Sequence, residues 1–293
     1  MNSLFSFRMI KATVLFAVLF FTVTAFSGAH TAPGIQWSVN EPFSIIPNPL
    51  IKSTDPLEKR GEAHASRQEW EKAAECYKQL LERYPDVADY HYKYGGFLGM
   101  MILENRLKAM GLVGDIKEAF IRASELDATH MGARRALVEL YMQLPGIMGG
   151  SRKKALRYAE ELHRLSPLEG YLAKGYIYEY DGKDEKAKTY YILALKEIDT
   201  AKKLSRKQLH CKIGQLCGDY KMKLDEGLQH LHQYIQKDTS YYETELHVAY
   251  CAIAKLHRLK NEKAKAMEWV KKSLSREPGY EEGLKEKARI EAL

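Results

Sequence analysis

The sequence predicts an all-α fold, an α-solenoid of about six degenerate helix pairs. Three observations carry that expectation. From Asp55 onward apolar residues recur at spacings of three and four, the helical period. Proline is sparse, at 9 in 293 residues, and several prolines close periodic stretches. The chain also repeats itself, with small and aromatic residues returning in one order, as a stack of supersecondary units requires.

The first residues stand apart from this pattern. Arg8 and Lys11 precede an apolar run from Ala12 to Phe26, and the small residues Ser27-Gly28-Ala29 follow. Basic residues, an apolar run and a small-x-small site make 1–29 a secretory signal peptide. The run falls short of the ~20 residues that span a bilayer, so an uncleaved membrane anchor is the alternative. Residues 30–53 contain "EPFSIIPNPL" and show no helical period, so they read as an extended lead-in. The helical-repeat domain is then 54–293.

Within that domain four stretches align. Ala73, Tyr77, Leu80 and Pro85 stand at offsets 0, 4, 7 and 12. Ala155, Ala159, Leu162 and Pro167 share those offsets, as do Ala266, Val270, Ser273 and Pro278. Ala187, Tyr191 and Ala194 keep the first three. A small residue precedes the alanine by twelve positions in three cases: Gly61, Gly175 and Ala254. Each lies in the preceding helix, where a larger side chain would hold two helices apart. Gly95 and Gly214 are the corresponding residues of two further pairs.

This small–alanine–aromatic–small–proline order resembles the tetratricopeptide repeat, whose period is about 34 residues. Six repeats begin near residues 54, 88, 131, 168, 207 and 247, with padding in several. The second carries a long insertion, expected in its second helix, and the third an elongated elbow, "LPGIMGGSRKK". That elbow is shared, by resemblance, with a group of exported bacterial tetratricopeptide proteins carrying a PGxxGGSxxKA loop. The resemblance implies a right-handed superhelix in which ligands lie along the first helices. Carried over residue by residue, the groove candidates are Tyr92, Arg135, Glu139, Gln143, Tyr176, Tyr180, Gln215 and Lys255. Glu58 and Glu62 occupy the places where repeats that grip a chain-terminal carboxylate carry Lys and Asn. That specialisation is therefore not expected.

A solenoid supplies a surface and not a reaction, and the sequence adds no catalytic constellation. It has no H-E-x-x-H, G-x-S-x-G or Rossmann fingerprint. His230 and His232 are two apart on a helix, a spacing that turns them away from each other. Cys76, Cys211, Cys217 and Cys251 lack metal spacing and read mainly as buried small hydrophobes. The elbow fails the G-x-x-x-x-G-K-[ST] spacing and follows a helix, not a strand. Arg152, Lys153 and Lys154 there oppose the macrodipole of the helix they begin. A bound anion would relieve that conflict. No cofactor and no metal are expected.

Net charge is +7, and 201–223 holds much of the excess. Export argues against nucleic acid, so a functional partner of that basic stretch would be an acidic protein or an anionic membrane surface; the other reading is a basic loop between the fourth and fifth repeats. The functional expectation is an exported scaffold, periplasmic or secreted, that binds a protein or peptide in a concave groove without catalysis. A periplasmic small-ligand-binding repeat protein serving a solute transporter is the alternative.

Overall fold

The computed structural model of the protein describes residues 55–104, 109–198, 207–236 and 246–293. Among them are thirteen α-helices and no strand. The pairs are α1 (Pro56–Ser66) with α2 (Trp70–Arg83), α3 (Ala88–Glu104) with α4 (Ala109–Leu126), and α5 (Met131–Gln143) with α6 (Arg152–Leu165). Then come α7 (Pro167–Tyr180) and α8 (Asp184–Lys196), followed by the pairs α9 (Lys207–Tyr220) with α10 (Leu224–Gln236) and α11 (Leu246–Leu259) with α12 (Lys263–Arg276). Helix α13 (Glu281–Glu291) follows. All six first helices begin within two residues of the positions the repeat pattern predicts. The signal and lead-in segments, 1–53, lie outside the described residues.

The described chain forms two compact units, one up to Ala187 and one from Lys188. In the first, each helix from α1 to α7 packs on the next, and first helix α5 also packs on first helix α7. In the second, α9 to α13 pack in order, with α9 on α11 and α11 on α13. First helices stacking on first helices is the nearest-neighbour arrangement of a solenoid.

The small residues explain how closely the pairs approach. A Cβ on Gly61 would stand 2.7 Å from the Tyr77 ring, and one on Gly95 would stand 3.0 Å from Phe120. At Gly214 it would meet Leu231 Cγ at 2.3 Å. Gly175 is buried. Ala73, Ala155, Ala254 and Ala266 are fully buried and Ala187 nearly so. Ser273 takes the small position of α12 and donates its hydroxyl to His247 O on α11, at 2.7 Å. One glycine that the pattern does not single out is as close, and to backbone: a Cβ on Gly170 would lie 2.3 Å from His163 Cα.

Three turns from a first to a second helix share one device. Gln68, Gly182 and Asn261 have φ of 60°, 70° and 61°, each the second residue past its helix. This left-handed conformation is costly for a residue other than glycine. Gln68→Gly is accordingly expected to stabilise the chain by about 0.5–1 kcal/mol, read as a higher urea midpoint. In two of these turns a histidine also clips the next helix. His64 Nδ1 is 2.5 Å from Glu69 Oε2, and His257 Nδ1 is 2.5 Å from Glu262 Oε2.

The His64 contact, then Lys72, holds the Glu69 carboxyl at about 2, below its ordinary 4.5. A carboxylate with a depressed folded-state pKa supports the fold above its unfolded value. That support is lost as pH falls toward 2. Carboxyl NMR of His64→Ala is expected to show the Glu69 midpoint rising toward 4.5.

Three stretches singled out in the sequence take the following form among the described residues. The insertion of the second repeat lengthens both of its helices: α3 has 17 residues and α4 has 18. Residues 201–206 lie outside the described residues, 207–220 are helix α9, and Lys212 is buried with Nζ 5.1 Å from the Tyr191 ring centroid. In the elbow Arg152 pairs with Asp181 and lies over the Tyr178 ring, and Lys154 lies over the Tyr141 ring. Pro145 follows the end of α5, Gly149 takes φ 90°, and Ser151 Oγ accepts from Lys154 N at 3.3 Å. Gly150 is required for a different reason: a Cβ there would lie 1.8 Å from Leu144 O.

Candidate interaction surface

The polar residues of the first helices are largely engaged in joining one repeat to the next. Lys93 of α3 is 3% exposed at its side chain. Its ammonium donates to Glu58 Oε1 at 3.2 Å, Glu62 Oε1 at 2.8 Å and Tyr77 Oη at 3.1 Å. Tyr77 donates to Glu62 at 2.5 Å, and Tyr90 donates to the second oxygen of Glu58 at 3.0 Å. Burial, then the two carboxylates, pushes the Tyr77 phenol far above its ordinary value, so it stays a donor. Glu58 and Glu62, read as groove residues, are therefore the acceptors of a buried lysine.

The same logic continues along the first unit. Arg135 Nη1 donates to Glu169 Oε1 at 3.1 Å, and Glu169 is 3% exposed. Gln143 Nε2 donates to Tyr176 Oη at 3.2 Å. In the second unit Lys255 donates to Asp219 at 2.5 Å. There Arg258 grips Glu286 through two nitrogens, at 2.5 and 3.3 Å, and Glu286 is 1% exposed.

The placements of the eight candidates follow from this ladder. Tyr92 is corrected: it is 4% exposed, its ring 5.8 Å from Phe120 and 4.8 Å from His130, and it packs in the core. Arg135 and Lys255 join repeats. Tyr176 is buried too, but its hydroxyl reaches Gln143, which is exposed. Tyr180 is 49% exposed, with its ring 6.0 Å from that of Tyr176. Glu139 is half-buried on the same face. Gln215 is half-buried on α9 of the second unit, the unit that also holds Lys255.

Burial, then the charge of Glu139, raises the Tyr176 phenol well above its ordinary value, with Tyr180 and Glu179 adding to the rise. Gln143, Glu139, Tyr176, Glu179 and Tyr180 thus form one cluster on α5 and α7.

Lys93 and Glu169 were missed as site-shaping residues, yet a signal for them exists. The joined pairs Glu58/Lys93, Arg135/Glu169, Gln143/Tyr176 and Asp219/Lys255 are 35, 34, 33 and 36 residues apart. Complementary polar residues one repeat apart mark a bond between repeats. The histidines hold a further surprise: His210 Nδ1 lies 2.9 Å from His230 Nδ1, joining α9 to α10. Of the cysteines, Cys76, Cys217 and Cys251 are buried free thiols, and burial pushes Cys217 and Cys251 up to about 12. Among the described residues no helix is long and apolar enough to cross a membrane.

The tetratricopeptide repeat family model matches residues 168–199 and 247–280. No curated protein matches the chain. Among solved structures, a thermophilic tetratricopeptide protein of Thermus thermophilus is 16% identical, with 81% of this chain and 98% of that one covered and a TM-score of 0.42. PilF of Pseudomonas aeruginosa is 14% identical over 79% of this chain and 95% of its own, with a TM-score of 0.47. A tetratricopeptide protein of Parabacteroides merdae is 15% identical over 80% and 97%, with a TM-score of 0.39. At these scores the likenesses say nothing of partners. The paired helices and the small residues between them agree with the family model, which matches this chain at two tetratricopeptide repeats, 168–199 and 247–280.

Proposed function

We propose that the chain is an exported helical-repeat scaffold that binds a segment of a partner protein on its first-helix face and does no chemistry of its own. One observation carries this reading. On a face whose charged side chains mostly join repeats, Tyr180 stays half exposed beside Gln143. An aromatic ring with a polar tip and a neighbouring amide is the composition that interfaces favour. Export is supported by Arg8, Lys11, the apolar run Ala12–Phe26 and Ser27-Gly28-Ala29.

The test is capture of the tagged full chain from its native cells, with fractionation and mass spectrometry of proteins and extracted small molecules. A stoichiometric protein partner recovered from the exported fraction is expected. A copurifying metabolite with no protein would contradict the reading and favour a ligand carrier.

A further inference from the structure

We propose that the elbow between α5 and α6 is a membrane-surface contact, which seats Ile147 in an anionic lipid layer while Lys117, Lys153 and Lys154 meet its headgroups. The proposal adds a second surface and does not rest on the scaffold reading. Its first ground is Ile147. The single turn Gly146–Met148 holds this side chain 80% exposed, more than any other large apolar side chain among the described residues. Its neighbours turn inward: Leu144 is 7% exposed and Met148 packs against the core. The turn is fixed by its own backbone. Met148 N and Gly150 N donate to Pro145 O at 2.9 and 3.0 Å, Gly149 N to Gly146 O at 3.0 Å, and Ser151 N to Tyr141 O at 2.9 Å. Drawing Ile147 into the core would break these bonds. Lipid would remove the side chain from water with the turn intact.

The second ground is charge. No Asp or Glu occurs from Leu140 to Ala159, a stretch that holds Arg152, Lys153, Lys154 and Arg157. The two arginines are paired, with Asp181 and Glu161. Lys153 is exposed, and so is Lys154, whose Nζ stands 5.2 Å from the Tyr141 ring centroid. Lys117 of α4 reaches the same loop, its Nζ 3.4 Å from the place of a Cβ on Gly149. Among the described residues no carboxylate lies within ion-pair distance of these three lysines, Asp115 and Glu118 beside Lys117 included. Headgroup phosphates would also offset the first turn of α6, which holds basic residues and no acidic one against its macrodipole. Lysine suits the place, because its apolar stem lies along lipid while the ammonium stays at the phosphates. A lipid layer fits the elbow better than a folded partner does. A stable protein interface takes about 800 Å² from each side. One three-residue turn supplies a small part of that, whereas a lipid surface needs no matching shape.

The test is backbone hydrogen exchange of the full chain at residues 142–154, with vesicles of phosphatidylcholine alone or mixed with phosphatidylglycerol. The readout is local because the apolar run Ala12–Phe26 would itself associate with lipid. Exchange is expected to slow on the phosphatidylglycerol vesicles and to stay unchanged on phosphatidylcholine. Ile147→Ser combined with Lys153→Gln is expected to raise the anionic lipid needed for half-protection about tenfold or more. Both side chains are exposed, so the variant should keep the wild-type melting curve. Equal slowing on both lipids, no slowing on either, or an unchanged half-point in the folded variant overturns the proposal. Slowing reproduced by inorganic phosphate alone overturns it in favour of a free-anion site. Slowing produced by a captured acidic protein and not by vesicles overturns it in favour of a protein interface.

Discussion

Lys93→Met is expected to destabilise the first unit by about 3–5 kcal/mol, the cost of leaving buried charge without its partner. The ammonium lies within 3.2 Å of Glu58 and 2.8 Å of Glu62, and the methionine would answer neither. Glu62 retains 37% side-chain exposure and can turn toward water, whereas Glu58, at 12%, cannot readily do so. Glu58 therefore accounts for most of the loss. Adding Glu58→Gln and Glu62→Gln to Lys93→Met should recover a large part of it, because the remaining amides are neutral and can bond Tyr77 and Tyr90. Urea denaturation of the single and triple variants measures both effects. A single variant within about 1 kcal/mol of wild type would mean that the ladder contributes no more than a surface pair does.

Gly170→Ala carries the second large effect, at about 3 kcal/mol or more. Ser166 is both the last cap of α6 and the first cap of α7, so the two helices join with no linker. A methyl group on residue 170 would lie 2.3 Å from His163 Cα and 2.7 Å from His163 N, and a backbone cannot rotate away as a side chain can. The helices must separate instead. Gly114 is the internal control. It lies in α4, is exposed, and a Cβ there meets nothing within 4 Å. Gly114→Ala should raise stability by about 0.5–1 kcal/mol by removing glycine's entropic cost in a helix. Opposite signs in thermal melts for one chemical change, at two helical glycines, would isolate packing from propensity.

The fold was legible in the sequence because a solenoid writes its packing locally. Gly61, Ala73 and Tyr77 meet across one short turn, and their spacing states the contact. The same locality explains why Tyr92 was misread. It stands where the family's groove residues stand, but His130 and Gly132 begin the next first helix against it, and a contact across 38 to 40 positions is invisible to a within-repeat pattern. Arg135 and Lys255 pair with Glu169 and Asp219 one repeat away, and position within a repeat does not say whether the next repeat brings an opposite charge. Gly170 escaped notice because the closeness of α6 and α7 arises from Ser166 capping both helices, not from a repeated position.

The central claim is that the α5–α7 first-helix face holds a protein partner. Cross-linking mass spectrometry of the captured full-chain complex tests it most directly. Cross-links and protection at Glu139, Glu179 and Tyr180, lost on Tyr180→Ala while the fold persists, are the predicted result. A partner cross-linked only through the second helices, or equally well retained by Tyr180→Ala, would contradict it.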